Sequence, residues 1–149
     1  MDQASEKFVL DIVENGKDLT LATIRPDGYP QATTVSYAHE GLTIYVGIGK
    51  ESQKAHNIRH CNKVSLTINE PYEDWKHIKG VSMGAIAEIL NDPEDIKRAA
   101  DCLIRRFPQV AEWAQSKEAA ETALLKITPQ VISVLDYTKG FGHTELVKL

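Results

Sequence analysis

The sequence predicts a mainly β fold with helices, of the α+β class by element count, in which six or seven antiparallel strands form a barrel. Short β-prone runs follow one another across tight turns, which favours antiparallel pairing of neighbouring strands. Helices do not alternate with strands, which argues against a doubly wound parallel sheet. Helical signals are confined to the N-terminus, one short segment and one insertion before the last strands. Closure into a barrel would remove exposed sheet edges.

The length of 149 residues fits one ordinary domain spanning 1–149, and no Pro-, Gly- or Ser-rich stretch could act as a linker. The net charge of -4 argues against a broad electrostatic grip on nucleic acid, which needs clustered lysines and arginines. Two lone cysteines, Cys61 and Cys102, form no disulfide framework and indicate a reducing compartment. The composition therefore predicts a single domain that does not bind nucleic acid.

The N-terminus, Met1 to Lys7, carries Asp2 and Glu6 and is not followed by a clean apolar run. This pattern predicts neither a signal peptide nor a membrane anchor. No stretch approaches the roughly 20 apolar residues that a membrane-spanning helix needs. We therefore expect a cytoplasmic protein.

The first predicted helix begins at Ser5 as its N-cap and ends at Gly16 in a left-handed conformation. Its apolar residues fall at helical spacing: Phe8, Val9, Ile12 and Val13. A strand over 19–24 and a returning strand over 31–38 then form a hairpin. The turn between them, 25–28, contains a proline that presets one dihedral angle and a glycine that accepts positive φ.

A second turn is predicted at 39–41, before the clearest strand of the chain. This strand, 42–48, alternates apolar and polar side chains as half-buried strands do. The remaining elements of the central region are a helical segment over 52–60 and strands over 64–69 and 81–90.

The helical insertion begins at Asp92, a capping residue followed by a proline whose missing N–H is harmless at that position. An apolar stripe continues to Pro108, which ends the helix: Ile96, Ala99, Ala100, Leu103 and Phe107. A further helical stretch surrounds Trp113. Two last strands, 123–127 and 131–137, are separated by Thr128-Pro129.

No side-chain catalytic signature is present. The chain lacks Gly-x-Ser-x-Gly, His-Glu-x-x-His and a Walker loop. The five histidines do not recur at metal-ligand spacing, and the pair four residues apart, His56 and His60, has no third ligand nearby. We therefore expect neither a protein nucleophile nor a metal site.

The informative segment is Gly49 to Asn57, directly after the clearest strand. With Ser52 as the N-cap, Lys54 lies in the first helical turn, where the helix dipole disfavours a cation by about 0.3 to 1 kcal/mol. A bound anion at the same place would instead be stabilised, both by the helix dipole and by the lysine. Free backbone donors, a hydroxyl and lysines at a helix start are typical of a phosphate site. The alternative is a solvent-exposed, lysine-rich turn.

Several motifs in order resemble a known family. They are Asp27-Gly28-Tyr29-Pro30 with the strand 32–37, then 42–46, then Ser52-Gln53-Lys54-Ala55-His56-Asn57-Ile58, then 62–66. In this order and spacing they resemble the pyridoxamine 5'-phosphate oxidase-like flavin-binding split barrels, from about Leu19 to Ile89 and again in the last strands. The resemblance implies an antiparallel six- or seven-stranded split β-barrel with an N-terminal helix and a helical insertion.

The resemblance also implies FMN as the cofactor. The strand along the isoalloxazine ring maps to Thr33, Thr34, Val35 and Ser36. The element that holds the phosphate maps to Ser52, Gln53 and Lys54, with Lys50 as a helper. Because the family places the flavin in a groove between two subunits, we expect a homodimer whose partner chain completes the site.

Two further segments are candidates for that second wall. Trp75 and His77, with Lys79, precede the long strand, and the alternative is that they cover their own barrel. The segment Lys139-Gly140-Phe141-Gly142-His143 could present Phe141 and His143 to the ring, since flanking glycines allow close approach. The alternative there is a tail that packs on its own barrel.

One departure from the family pattern concerns the reaction. The true pyridoxamine phosphate oxidases carry an arginine at the position of Thr33 and a basic C-terminal substrate motif, with Arg-Leu before a proline, and both are absent from this chain. Vitamin B6 oxidation is therefore not expected. We expect an FMN-dependent oxidoreductase that moves hydride or electrons between a reduced nicotinamide, or a small organic donor, and an unknown acceptor. The alternatives are a non-catalytic flavin-binding or sensing module, and a split barrel that uses deazaflavin or haem.

Overall fold

A computed structural model describes residues 1–149. The helices are α1 (Gln3–Asn15), α2 (Gln53–His60), α3 (Pro93–Arg106) and α4 (Val110–Trp113), with short 3-10 turns at Trp75–His77, Glu118–Glu121 and Tyr137–Lys139. The strands are β1 (Asp18–Ile24), β2 (Pro30–Ser36), β3 (Ala38–Glu40), β4 (Thr43–Gly49), β5 (Lys63–Asn69), β6 (Lys79–Ile89), β7 (Thr122–Asp136) and β8 (Thr144–Val147). None of the helices is both long enough and apolar enough to cross a membrane.

All eight strands belong to one antiparallel sheet in the order β2-β1-β5-β6-β7-β4-β3, with β8 added to β7. The long strand β7 pairs with β6 over 125–136. On its other side it pairs first with β4, over 122–127, and then with β8, over 132–135. This arrangement confirms the predicted antiparallel split barrel with an N-terminal helix and a helical insertion.

The split lies between β2 and β4. These two strands approach each other but share no backbone ladder, and β2 pairs with β1 alone. The outer edge of β2 therefore presents unpaired backbone N–H and C=O groups. Such an edge can bind an additional strand or a ligand with hydrogen-bonding groups along one side.

The core follows from the alternation of apolar residues in the strands. In β5, for example, Val64, Leu66 and Ile68 are buried while the residues between them are exposed. Helix α1 closes one side of the barrel with its buried residues Val9, Ile12 and Val13. A second, smaller cluster forms where Ala99, Cys102 and Leu103 of α3 pack on Tyr45 of β4 and Ala38 of β3.

Two details of the first helix were predicted wrongly. Asp2, not Ser5, is the N-cap, because its carboxylate accepts a hydrogen bond of 2.7 Å from the Ser5 N–H. Gly16 does not adopt a left-handed conformation, since its φ is -71°. Its small size matters instead: a Cβ at this position would lie 2.6 Å from Ile68 Cγ2 and 2.7 Å from Tyr37 Oη.

The strand predicted over 31–38 is divided. Strand β2 ends at Ser36, and the following Tyr37 is fully buried, with its hydroxyl donating a hydrogen bond of 2.6 Å to the Val13 carbonyl. This anchor turns the chain, so that β3 starts at Ala38 and pairs with β4. The turn predicted at 39–41 therefore lies one to two residues later, around Gly41, which has a φ of +59°.

The end of the chain also differs from prediction. The two strands expected on either side of Thr128-Pro129 are one continuous strand, β7. Pro129 is tolerated because it lies opposite Ala85, where a β-bulge shifts the register between Gly84 and Ala85. Strand β8 was not predicted, and together with the separate β3 it raises the strand count to eight.

Gly16→Ala is expected to lower the free energy of unfolding by about 1 to 3 kcal/mol, because the new methyl group would overlap buried side chains. Urea unfolding of the variant measures this loss. Gly47→Ala is the matched control, since a Cβ at position 47 would make only an ordinary contact, 3.5 Å from Thr122. Equal losses in the two variants would contradict the steric explanation.

Candidate functional site

A buried asparagine holds the start of α2 beside strand β2. The Asn57 side chain is 0% exposed, and its Nδ2 donates hydrogen bonds of 3.0 Å to Thr23 Oγ1 and to Gln31 Oε1. Its Oδ1 accepts a hydrogen bond of 2.8 Å from Gln53 Nε2. These hydrogen bonds tie α2, whose first turn contains part of the predicted segment 50–54, to the beginning of β2, the strand that carries 33–36. Sequence reasoning did not assign a role to Asn57, although its polar side chain lies between the apolar Ala55 and Ile58.

The start of α2 carries unused hydrogen-bond donors. Ser52 is the N-cap, as predicted: its Oγ accepts a hydrogen bond from the Ala55 N–H (3.2 Å) and donates one to the Gly49 carbonyl (2.8 Å). The backbone N–H groups of Gln53 and Lys54 have no acceptor within the chain. Such donors, at the positive end of the helix dipole, favour an anion.

Two lysines surround these free donors. Lys54 is half-buried in the first turn of α2, and Lys50 lies in the preceding loop. Neither ammonium group forms an ion pair with a carboxylate. The nearest acidic residue in sequence, Glu51, lies 3.8 Å from His56 Nε2. The local charge at the helix start is therefore positive and available to a ligand.

Arg59 braces the same loop. Its Nη2 donates a hydrogen bond of 2.9 Å to the Lys50 carbonyl, which ties the loop to the body of the helix that follows. No local pattern predicts this contact, because the two residues are nine positions apart. The contact restricts the loop conformation and therefore the position of Lys50.

Strand β2 presents its side chains in alternation. Thr33 and Val35 are half-buried, whereas Thr34 and Ser36 are exposed. The Ser36 hydroxyl donates a hydrogen bond of 3.0 Å to Asp18. The Thr33 Oγ1 is buried and has no hydrogen-bond partner, which is uncommon for a buried hydroxyl and leaves a donor and an acceptor for a ligand.

A cavity of about 680 Å³ lies along the split between β2 and β4. Its floor is formed by strand residues: Val35, Ser36, Gly47, Ile48, Gly49, Thr122 and Leu124. Its roof is formed by α3, α4 and the segment after it: Ile96, Ala100, Leu103, Ile104, Phe107, Gln109, Val110, Trp113, Ala114 and Ala119. None of these residues is charged. At Gly49 the cavity reaches the loop that leads into the cap of α2, so an apolar cleft adjoins a cationic helix start.

The roof of this cavity was not predicted as part of a site. Helix α3 buries Ala99, Cys102 and Leu103 against the sheet, while Ile104 and Phe107 remain half-buried and line the cavity. The apolar stripe on α3 is wider than packing on the sheet requires. Its extra width was a sequence signal for a further apolar surface. Assigning the stripe to a cavity needed the position of the helix.

Trp75 and Phe141 form an exposed aromatic cluster with Tyr137. The ring centroids of Trp75 and Phe141 are 6.1 Å apart, and those of Tyr137 and Phe141 are 5.4 Å apart. Trp75 is 67% exposed and Phe141 is 81% exposed. Beside them, His77 Nδ1 lies 2.7 Å from Asp74 Oδ1, and this hydrogen bond holds the pKa of Asp74 below its ordinary value.

The aromatic cluster lies at the end of the sheet remote from α2. Helix α2 contacts the hairpin end of β1 and β2, through Thr23 and Gln31, whereas the cluster adjoins the first residues of β6. No ring contact or hydrogen bond joins the cluster to 33–36 or to 50–54 of the same chain. Within one chain, therefore, the predicted site residues of the aromatic cluster lie apart from those of 33–36 and 50–54.

The other two candidates near the cluster are engaged by their own chain. The Lys79 ammonium lies 5.8 Å from the centre of the Phe8 ring, and His143 Nε2 lies 2.7 Å from Glu145 Oε1. Hydrogen bonds from His143 and Lys139 lower the pKa of Glu145. These contacts engage Lys79 and His143 within their own chain, and the residues that follow the predicted segment form β8 on the edge of β7.

Comparisons with known proteins extend these observations. The family model of pyridoxamine 5'-phosphate oxidase matches residues 6–136. General stress protein 26 of Bacillus subtilis is 27% identical over 134 residues, which are 90% of each chain.

Two solved structures share the fold at low sequence identity. A heme-binding protein from Mycobacterium smegmatis matches with a TM-score of 0.82 and 17% identity, over 99% of this chain and 59% of that one. A FAD-binding protein from Mesorhizobium loti matches with a TM-score of 0.71 and 18% identity, over 90% of this chain and 94% of that one. At these identities the likeness establishes the fold alone.

Proposed function

The chain belongs to the pyridoxamine 5'-phosphate oxidase family, and on this basis we propose that it binds FMN in the cavity along the split and acts as an FMN-dependent oxidoreductase. One observation carries the proposal: a cationic helix start with free donors and an uncharged apolar cleft meet at Gly49. FMN combines the two chemistries that these parts accommodate, a dianionic phosphate and a largely apolar planar ring.

The phosphate would be held at the start of α2. The free N–H groups of Gln53 and Lys54 would donate to its oxygens, and the ammonium groups of Lys54 and Lys50 would balance its charge. The Ser52 hydroxyl would join them only by giving up its hydrogen bond to the Gly49 carbonyl. The Asn57 network keeps these donors in place beside β2.

The ring would lie against β2. The unpaired edge of this strand offers N–H and C=O groups to the heteroatoms along one side of an isoalloxazine, and the partnerless Thr33 hydroxyl lies on the same strand. Val35 and Ile48 would cover apolar parts of the ring and exclude water from it. The roles of Thr33, Thr34, Val35 and Ser36 stay predictions.

When bound, FMN would supply hydride and electron chemistry, which requires no protein nucleophile. This fits a chain without a nucleophile-and-base motif. The donor would be a reduced nicotinamide or a small organic molecule. A phosphorylated B6 vitamer is disfavoured as a substrate, because no residue lining the cavity carries a positive charge to hold a second phosphate.

Haem is the main competing ligand, since one structure of the same fold is a heme-binding protein. Haem iron takes an axial His, Cys, Met or Tyr ligand in the proteins that use it. No such residue lines this cavity. FMN is therefore favoured over haem for the cavity of this chain.

The cofactor is tested by spectroscopy. Protein incubated with FMN and freed of excess ligand is expected to show the visible absorbance of a bound flavin, and anaerobic addition of reduced nicotinamide is expected to bleach it. A colourless protein would overturn the proposal. A haem or deazaflavin spectrum after purification would show that the protein binds that cofactor and not FMN. A bound flavin that no donor reduces would favour the non-catalytic binding module.

We further propose that the protein is a homodimer in which the aromatic cluster of one chain covers the flavin site of its partner. Trp75 and Phe141 are too exposed for residues that only pack on their own chain. The residues flanking Phe141 support this role, because Gly140 and Gly142 have φ of +138° and +69° and lack side chains that would block approach.

A subunit-mixing experiment tests the shared site. Lys54→Ala and the double variant Trp75→Ala/Phe141→Ala are each expected to bind FMN weakly as homodimers. After unfolding and refolding together, half of the dimers are mixed and one of their two sites is intact, so roughly one site in four should regain tight binding. Failure to regain any tight site, with mixed dimers present, would place all site residues on one chain.

A further inference from the structure

The helical roof of the cavity presents an apolar face that the protein itself does not cover. Ile96, Ala100 and Ile104 on α3, and Phe107 at its C-cap, follow one another at helical spacing and all line the cavity. Ile96 is exposed, and the other three are half-buried. Trp113 of α4, which is 42% exposed, extends the same wall. An apolar ligand would remove this surface from water and gain the corresponding hydrophobic free energy.

The low polarity of the helical wall restricts which kinds of ligand can bind there. The polar side-chain groups that line the cavity are those of Ser36, Gln109 and Thr122 and the indole N–H of Trp113, and none of them is charged. A charged group placed here would lose its hydration without gaining a partner. The ligand must therefore be uncharged, with at most a few hydrogen-bonding groups. Two aromatic residues, Phe107 and Trp113, favour a molecule that itself contains rings.

We propose that the helical wall of the cavity binds an uncharged, ring-containing organic molecule, and that this molecule is the organic substrate of the bound flavin. The proposal rests on the proposed function, because the opposite wall of the same cavity, with Val35 and Ser36, is assigned there to the flavin ring. Ligand and ring would face each other across one space, so that the ligand, as the small organic donor, could give up a hydride and be oxidised by two electrons while an oxidised flavin would take up that hydride and be reduced by two. The volume of about 680 Å³ lies within the range of small-molecule sites.

Trp113 provides a direct reporter of this wall. The chain has two tryptophans, so that in a Trp75→Phe background Trp113 is the only one. Two probes with the same rings differ in charge: N-phenylnaphthylamine is neutral, and anilinonaphthalene sulfonate is an anion. In the full-length, FMN-loaded protein, the neutral probe is expected to saturate a site with energy transfer from Trp113. The sulfonate is expected to bind about tenfold more weakly or worse.

A charge placed on the wall tests the location. Ile104→Asp is expected to weaken binding of the neutral probe by about tenfold or more, because an ionised carboxylate would face the ligand. Asn91→Asp is the matched control, since it adds the same single negative charge at an exposed residue just before α3 that does not line the cavity. If Ile104→Asp does not fold, Ala100→Phe, which fills the cavity with a neutral side chain, replaces it with the same expectation.

The outcomes separate this proposal from the proposed function. A protein that retains FMN but binds neither probe saturably, or binds both equally, overturns the substrate site and leaves the cofactor assignment standing. Unchanged probe affinity in a folded Ile104→Asp or Ala100→Phe protein does the same. A protein that binds the neutral probe at this wall but takes up no FMN overturns the proposed function, and with it the role of the ligand as a flavin substrate.

Discussion

Lys54→Ala is expected to weaken the binding of FMN by about 1.5 to 3 kcal/mol, the range for hydrogen bonds to charged groups, which corresponds to roughly tenfold to a hundredfold in Kd. The same substitution is expected to leave the binding of riboflavin nearly unchanged, because riboflavin has the same ring system but no phosphate. Fluorescence or calorimetric titration of both ligands against both proteins gives the four affinities. Their difference isolates the contact between Lys54 and the phosphate.

A second lysine provides the control for net charge. Lys63 begins β5, is exposed and forms no ion pair, so Lys63→Ala changes the total charge by the same amount away from the cavity. Its FMN affinity is expected to equal that of the unmodified protein. If Lys54→Ala binds FMN as tightly as Lys63→Ala does, the phosphate is held elsewhere. An equal loss of riboflavin binding would mean that Lys54 supports the ring or the local structure.

Asn57→Ala is expected to lower the free energy of unfolding by about 2 to 3 kcal/mol, because it removes one buried and two part-buried hydrogen bonds and leaves the buried Thr23 hydroxyl without this partner. Denaturant unfolding of the cofactor-free protein measures the effect without any contribution from ligand binding. The FMN affinity of the folded variant is also expected to fall, since the start of α2 loses its attachment to β2.

The matched control for this substitution is Asn62→Ala. Asn62 is exposed, and its side chain makes no hydrogen bond, so the change should alter stability by less than about 0.5 kcal/mol. If Asn57→Ala also lowers the free energy of unfolding by less than about 0.5 kcal/mol, water must hydrogen-bond to Thr23, Gln31 and Gln53 in place of Asn57. The network would then not be what holds α2 against the hairpin.

The correct predictions from sequence depend on residues a few positions apart. Ser52 and Asp92 were identified as N-caps, and both side chains accept the backbone hydrogen bonds expected of caps. The turn before β2 was identified from its proline and glycine, and Gly28 has a φ of +91°. Short-range signals of this kind survive folding because their partners are local in the chain.

The errors arose where a distant contact overrides the local pattern. Pro129 is a local strand breaker, but its position next to a bulge within β7, where Gln130 is skipped between the pairs Gly84–Val131 and Ala85–Pro129, makes it compatible with a continuous strand. Strand β8 carries little β signal of its own and forms because the second half of β7 has a free edge beside it. Tyr37 ends β2 because its hydroxyl reaches Val13 of α1.

The candidate site shows the same division. The segments 33–36 and 50–54 could be proposed from motifs, and their assignment to FMN, like the homodimer, stays a prediction. The cavity could not be proposed, because its walls come from β2, β4, β7, α3 and α4. The free backbone donors at the start of α2 were expected from the sequence, because the first N–H groups of a helix lack an intrahelical acceptor, and those of Gln53 and Lys54 are indeed without one.

From the amino-acid order alone follow the family, the antiparallel barrel and a lysine-bearing helix start suited to an anion, because caps, turns and strand alternation are short-range properties. The tertiary structure adds the split between β2 and β4 and the uncharged cavity roofed by α3. It also adds the Asn57 network, in which Asn57 hydrogen-bonds to Thr23, 34 positions earlier in the chain. These features arise from contacts between residues far apart in sequence, and such contacts leave no periodic trace in the chain that could have indicated them.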